Sequence, residues 1–156
     1  MNIEKIVKKL INKKKTISTM ESCTGGYIAS SITNIPGASE VLKFSAVTYS
    51  NEYKIKMGVD KKIIDKYTVY SIETSNEMSK NISLFANSNY GIGITGKLCS
   101  PDLANPTDKN NIVYISIYDK DIDKYYECSL EMKNQERSKN KKIILNYIIK
   151  NLNEII

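Results

Sequence analysis

The chain has 156 residues, 23 Lys+Arg against 17 Asp+Glu for a formal net charge of +6, and no histidine. Without histidine there is no Ser-His-Asp triad, no Cys-His dyad and no His-ligated zinc or haem, so a hydrolase on this chain needs another base, with lysine the leading candidate. A content of 41% hydrophobic and 26% charged residues fits a globular chain rather than a disordered one, and the length suits a single domain over residues 1–156.

Ile3, Ile6, Val7, Leu10 and Ile11 recur at helical spacing, which predicts an amphipathic helix over residues 2–13. Thr16 to Met20 is short and β-branched and reads as a strand. Thr24 to Thr33 reads as a helix, broken by Pro36-Gly37. Phe44 to Ser50 reads as a second strand. Asn51 to Met57 reads as a short helix with Gly58 placed to end it, and Asp60 caps another through Lys66. Ser71 caps a longer helix to Ala86, with Glu73 near its positive end. Tyr90 to Thr95 is the next strand, and residues 96–110, with two prolines, form a loop. Ile112 to Tyr118 and Lys124 to Met132 form a hairpin joined at Asp119 to Asp123. Ile143, Ile144, Leu145, Ile148, Ile149 and Leu152 give a last helix its apolar face. Helices and strands alternate early and a hairpin comes late, which predicts an α/β chain, a three-layer α/β/α sandwich with a mixed, largely parallel sheet.

No apolar run approaches the roughly 20 residues that span a bilayer, and residues 1–15 lack the apolar stretch of a signal peptide. Cys23, Cys99 and Cys128 are odd in number and far apart, without a Cys-x-x-Cys, which argues against a disulfide framework or a zinc knuckle. A cytoplasmic protein with reduced thiols is expected. Arg137 is the single arginine. Base and phosphate readers lean on arginine forks, so a nucleic-acid partner is not expected, whereas an anionic small molecule suits the charge. The Lys8 to Lys15 cluster is the one segment that a nucleic-acid reading would use.

The most informative segment is Glu21-Ser22-Cys23-Thr24-Gly25-Gly26, between a predicted strand and a predicted helix. Such a turn lies at the carboxyl edge of a sheet, where open α/β folds bind ligands. Glycines let backbone approach a ligand, and the N–H groups of a helix start can hold an oxyanion or a phosphate. Two readings stand for this turn. Ser22 is a nucleophile with Thr24 as hydrogen-bonding neighbour, or Ser22 or Thr24 simply caps the helix. Cys23 lacks a histidine to activate it and reads as a small buried thiol.

A serine nucleophile needs a base. Val47-Thr48-Tyr49-Ser50-Asn51-Glu52-Tyr53-Lys54 also crosses from a strand edge into a helix. Lys54 falls in the first helical turn, where the helix end and desolvation both lower a lysine pKa. A neutral lysine can take a serine proton, as in Ser-Lys hydrolases. Taken alone, it equals any of the other lysines, which are solvated surface groups.

Together, ESCTGG and VTYSNEYK resemble the C-terminal domain family of the competence-damage protein CinA, whose stand-alone members are nicotinamide-nucleotide amidases. The resemblance continues through Ile35-Pro36-Gly37-Ala38-Ser39, Met57-Gly58-Val59, Glu73-Thr74 with Glu77-Met78, Ile94-Thr95-Gly96, Asn111 to Ser116 and Glu136-Arg137, covering residues 3–152. It implies an α/β/α fold and a serine amidase that converts nicotinamide mononucleotide to nicotinate mononucleotide and ammonia, with no metal and no organic cofactor. By position, Ser22 resembles the nucleophile and Lys54 its base. Thr24, Gly25 and Gly26 resemble the oxyanion-side and substrate-holding turn. Tyr49, Ser50, Asn51, Thr95 and Gly96 resemble pocket residues. Arg137 matches an arginine positioned for a substrate phosphate, with Lys141 as a second basic residue nearby. The implied partner is a small nucleotide, and a homo-oligomer stays open.

One stretch departs from the family. Its strand end runs on into alanine, glycine and proline, whereas here Lys97-Leu98-Cys99-Ser100-Pro101-Asp102-Leu103 follows Gly96. Side chains with Cβ atoms approach a ligand less closely than glycine. This loop is expected to border the pocket, and a catalytically impaired nucleotide-binding or interaction module is the alternative function. Lys97 is either a new phosphate contact or a solvated lysine.

Overall fold

The computed structural model describes residues 2–99 and 111–156. Its helices are α1 (Ile3–Lys13), α2 (Tyr27–Thr33), α3 (Asn51–Lys56), α4 (Lys61–Tyr67), α5 (Ile72–Ala86) and α6 (Arg137–Ile155). Its strands are β1 (Ile17–Glu21), β2 (Leu42–Val47), β3 (Tyr90–Gly96), β4 (Ile112–Asp119) and β5 (Lys124–Glu131). The strands make one sheet in the order β2-β1-β3-β4-β5. β2, β1 and β3 run parallel, and β4 and β5 join antiparallel through the hairpin. The mixed three-layer sandwich is therefore present.

Strand parity builds the layers, because successive side chains point to opposite faces. Ile17 of β1, Ile92 and Ile94 of β3, and Val113, Ile115 and Ile117 of β4 join Ile6 and Leu10 of α1, Ile28 and Ile32 of α2, and Ile144 and Ile148 of α6 in the main core. Each fully buried aliphatic side chain of this kind contributes about 1.5–3 kcal/mol relative to exposure. On the other face Met20 packs with Ile64, Met78 and Ile82. There α5 approaches β3 closely. A Cβ on Gly91 would stand 1.9 Å from the Ser79 carbonyl oxygen, and one on Gly93 would stand 2.3 Å from that of Ser75. Small residues on both sides let helix and strand touch backbone to backbone.

The caps explain most helix starts. Side chains of Asn2, Ser50, Asp60 and Ser71 accept from the N–H groups of Lys5, Tyr53, Lys62 and Thr74. The bounds of α2 and β2 differ from the sequence expectation. α2 begins at Tyr27, not Thr24, because Gly25 and Gly26 hold φ of +62° and +93°, left-handed values that a helix cannot contain. β2 covers 42–47, not 44–50, since Thr48 makes the last bond to β1 and Ser50 has already turned to cap α3. α6 begins at Arg137, in line with the Glu136-Arg137 lead-in, but Ile143 is exposed, so the apolar face runs through Ile144, Ile148, Ile149 and Leu152.

Candidate functional site

Ser22 leaves the carboxyl end of β1 with its N–H donated to the Ile94 carbonyl of β3. Lys54 comes from α3, whose helical backbone turns its side chain back under the sheet edge. Its Nζ lies 3.0 Å from Ser22 Oγ and 2.7 Å from the Thr48 carbonyl oxygen. Lys54 is 2% exposed and Ser22 8%. Burial lowers the Lys54 pKa to about 8, opposed by a smaller electrostatic effect of Cys23. The expected help from a helix start is not present, because Lys54 stands in the last turn of the six-residue α3, and desolvation alone lowers its pKa.

The pair opens into a cavity of about 410 Å³ lined by Tyr49, Asn51, Thr95, Gly96 and Arg137 among the expected residues. Arg137 reaches across from α6, its guanidinium 3.5 Å from the Tyr49 hydroxyl. Thr95 donates to the Val69 carbonyl, which fixes the cavity wall. Gly96 holds φ of +142°, and a Cβ there would stand 2.3 Å from the Ile112 carbonyl oxygen, so β3 needs glycine where it enters the pocket.

Four expected residues do not line the cavity. Thr24 is fully buried and its hydroxyl donates to Glu21 Oε1 at 2.6 Å, which leaves it no hydrogen to offer a ligand. The Gly25 N–H donates to the Ser22 carbonyl, closing the turn, and Gly26 is the first residue before α2. Ser50 is spent on capping α3. Neither Ser22 nor Thr24 caps α2. The carboxylate of Glu21 does so instead, accepting from the N–H groups of Ile28 and Ala29, both at 3.0 Å. Lys141 stands near the turn, its Nζ 3.8 Å from where a Gly25 Cβ would lie.

Cys23, Val69, Tyr70, Lys97, Leu98, Cys99 and Asn111 also line the cavity. Burial pushes the Cys23 thiol up to about 12, in keeping with a buried, protonated thiol. Lys97 stands over the Tyr70 ring at 4.9 Å from its centre. The departing loop thus borders the pocket through Lys97, Leu98 and Cys99, while Ser100 to Leu103 lie outside the described residues. Tyr70 was missed because a tyrosine just before a helix cap carries no motif. Asn140 was missed too. Fully buried in α6, it donates to the carbonyls of Leu98 and Lys133 at 2.8 and 2.9 Å and ties the pocket wall to the helix. Among the described residues no group of three or more His, Cys, Asp or Glu could hold a metal ion, and no helix is long and apolar enough to cross a membrane.

These features define the class: a three-layer α/β/α protein with a buried serine-lysine pair at the carboxyl edge of its parallel strands. The sequence matches the CinA C-terminal domain over residues 2–156, and the chain belongs to that family. It is 36% identical over 158 aligned residues to a Clostridium perfringens protein that carries the name competence-damage inducible protein, covering 99% of this chain and 38% of that one. A Clostridium beijerinckii protein of the same name is 46% identical over 120 residues, 76% of this chain and 29% of that one. The chain therefore spans well under half the length of these relatives. Its fold is shared by the competence damage-inducible protein A of Klebsiella pneumoniae, with a TM-score of 0.86 at 19% identity over 99% of this chain and 96% of that one. The competence/damage inducible protein CihA of Agrobacterium tumefaciens gives a TM-score of 0.84 at 22% identity, over 97% and 95%.

Proposed function

We propose that the protein is a serine amidase that deamidates nicotinamide mononucleotide to nicotinate mononucleotide and ammonia. The observation that carries this reading is the 3.0 Å contact between Lys54 Nζ and Ser22 Oγ in a buried setting that lowers the lysine pKa. A protonated Lys54 donates to Ser22. Once neutral, its lone pair accepts the serine proton instead, and Oγ attacks the carboxamide carbon. The N–H of Cys23, which follows the nucleophile and lines the cavity, donates to no backbone carbonyl among the described residues, and this reading assigns it to the developing oxyanion. Lys54 returns its proton to the leaving nitrogen, and ammonia departs. Water then hydrolyses the acyl-enzyme, with Lys54 taking and returning the water proton. No metal or organic cofactor enters these steps.

Arg137 and Tyr49 on the cavity rim supply the cation and hydroxyl that suit the substrate phosphate. The partner is thus a small nucleotide in the cytoplasm rather than a nucleic acid. Incubation with nicotinamide mononucleotide and chromatographic identification of the product tests this. Nicotinate mononucleotide with one equivalent of ammonia is expected. Binding without turnover contradicts the amidase reading and favours the impaired module that the departure at Lys97 to Leu103 first raised.

A further inference from the structure

Glu21 is a fully buried carboxylate at the end of β1, directly before Ser22. It shares the parity of Ile17 and Thr19, so it points into the α2 layer rather than the cavity, and it is absent from the cavity lining. Its Oε1 accepts from Thr24 Oγ1 at 2.6 Å and Ile28 N at 3.0 Å. Its Oε2 accepts from Ala29 N at 3.0 Å and Thr19 Oγ1 at 3.2 Å. The residue immediately before α2, Gly26, has no side chain to cap the helix. Glu21 reaches over the turn to do so and grips the middle of that turn through Thr24. The main chain of Glu21 serves the other half of the site. Its carbonyl accepts from Thr48 N at 2.8 Å, and the Thr48 carbonyl accepts from Lys54 Nζ at 2.7 Å.

We infer that Glu21 is a positioning residue that holds the Ser22 turn in register with Lys54. This rests on the serine-lysine reading above. Four hydrogen bonds to two oxygens fill the carboxylate, with one donor from β1, one from the turn and two from α2. Glutamine has the same shape but replaces one acceptor oxygen with an NH₂ group. Either orientation of the amide sets that NH₂ against a backbone N–H, of Ile28 or of Ala29. The two threonine hydroxyls can rotate, but the backbone N–H cannot, so the turn must shift. A displacement of about 1 Å at a reacting group costs on the order of 10²-fold in rate.

A fluorophosphonate probe reads the pair without relying on any substrate. Ser22 Oγ forms a bond to phosphorus, fluoride leaves with the electron pair, and Lys54 takes the serine proton. In the folded full chain, Glu21→Gln is expected to lower the limiting labelling rate about 10–100-fold with the half-saturating probe concentration unchanged. A residue that merely stabilises the fold would change the unfolding midpoint and leave that rate constant alone. Thr24→Val removes one grip and keeps the carboxylate, and a smaller slowing is expected. Should Glu21→Gln not fold, Thr24→Val carries the test. Labelling of the variants at the parent rate overturns the inference while leaving the serine-lysine pair intact. An unlabelled parent chain overturns the pair and the inference together.

Discussion

Lys54 and Ser22 stand 32 positions apart in the chain, yet Nζ lies 3.0 Å from Oγ. Two parallel strands and one short helix bring them together. In the β1–β2 pair Glu21 stands opposite Val47, and Thr48 continues that pairing through the Glu21 carbonyl. Ser50 then starts α3 and sets Lys54 back toward β1. Lys54 is therefore placed by the strand pair itself rather than by a flexible connection.

The lowered pKa of Lys54 gives a pH dependence with a definite sign. Only neutral lysine takes the serine proton, so kcat/KM should rise with pH through a midpoint near 8 and then level off. Stability follows the same group. Between about 8 and the ordinary value of 10.5, the unfolded chain binds a proton that the folded chain does not, so raising pH across that window favours folding. Below the window both states are charged and the contribution is constant. Initial rates and urea midpoints from pH 6.5 to 10.5 check both.

Arg137 sits at the cavity rim beside Tyr49. Arg137→Ala should raise KM for nicotinamide mononucleotide about tenfold, the loss of roughly 1.4 kcal/mol expected for an exposed charge-assisted contact. Nicotinamide riboside, which lacks the phosphate, should be affected less. Steady-state kinetics on both substrates check this.

Gly93 lets the backbone of α5 lie against β3, with Ser75 O only 2.3 Å from where a Cβ would stand. Gly93→Ala should destabilise the fold by about 1–3 kcal/mol, because helix and strand must separate and the Met78 packing with them. A lowered denaturation midpoint in urea reads it out.

Asn140 holds the carbonyls of Leu98 and Lys133 and accepts from Gln135 Nε2 at 2.7 Å. Asn140→Ala leaves the buried Leu98 carbonyl and the part-buried Lys133 carbonyl without this donor, which should cost about 1–3 kcal/mol. Leu98 is buried and lines the cavity, so KM should rise as well. Thermal unfolding and substrate titration together separate the two effects.

The sequence was legible where local chemistry repeats or caps. Asp60 and Ser71 announce their helices, and helical spacing of apolar residues marks α1. The two strand-to-helix segments alone left Ser22 a nucleophile or a cap and Lys54 one lysine among many, and the resemblance to the CinA family is what joined them. The start of α2 was not legible, because Thr24 looks like a cap until two consecutive left-handed glycines displace the helix. Glu21 was not legible either. Its role depends on a carboxylate crossing seven and eight positions to reach Ile28 and Ala29, and a local pattern does not show that reach. Tyr70 and Asn140 enter the site through tertiary packing alone.

Ammonia release from nicotinamide mononucleotide by the parent chain and by folded Ser22→Ala, at matched concentration and pH 8.5, tests the central claim most directly. The account predicts turnover by the parent chain and loss of at least about 10³-fold in Ser22→Ala, with Lys54→Met equally impaired. Full turnover by Ser22→Ala would contradict it.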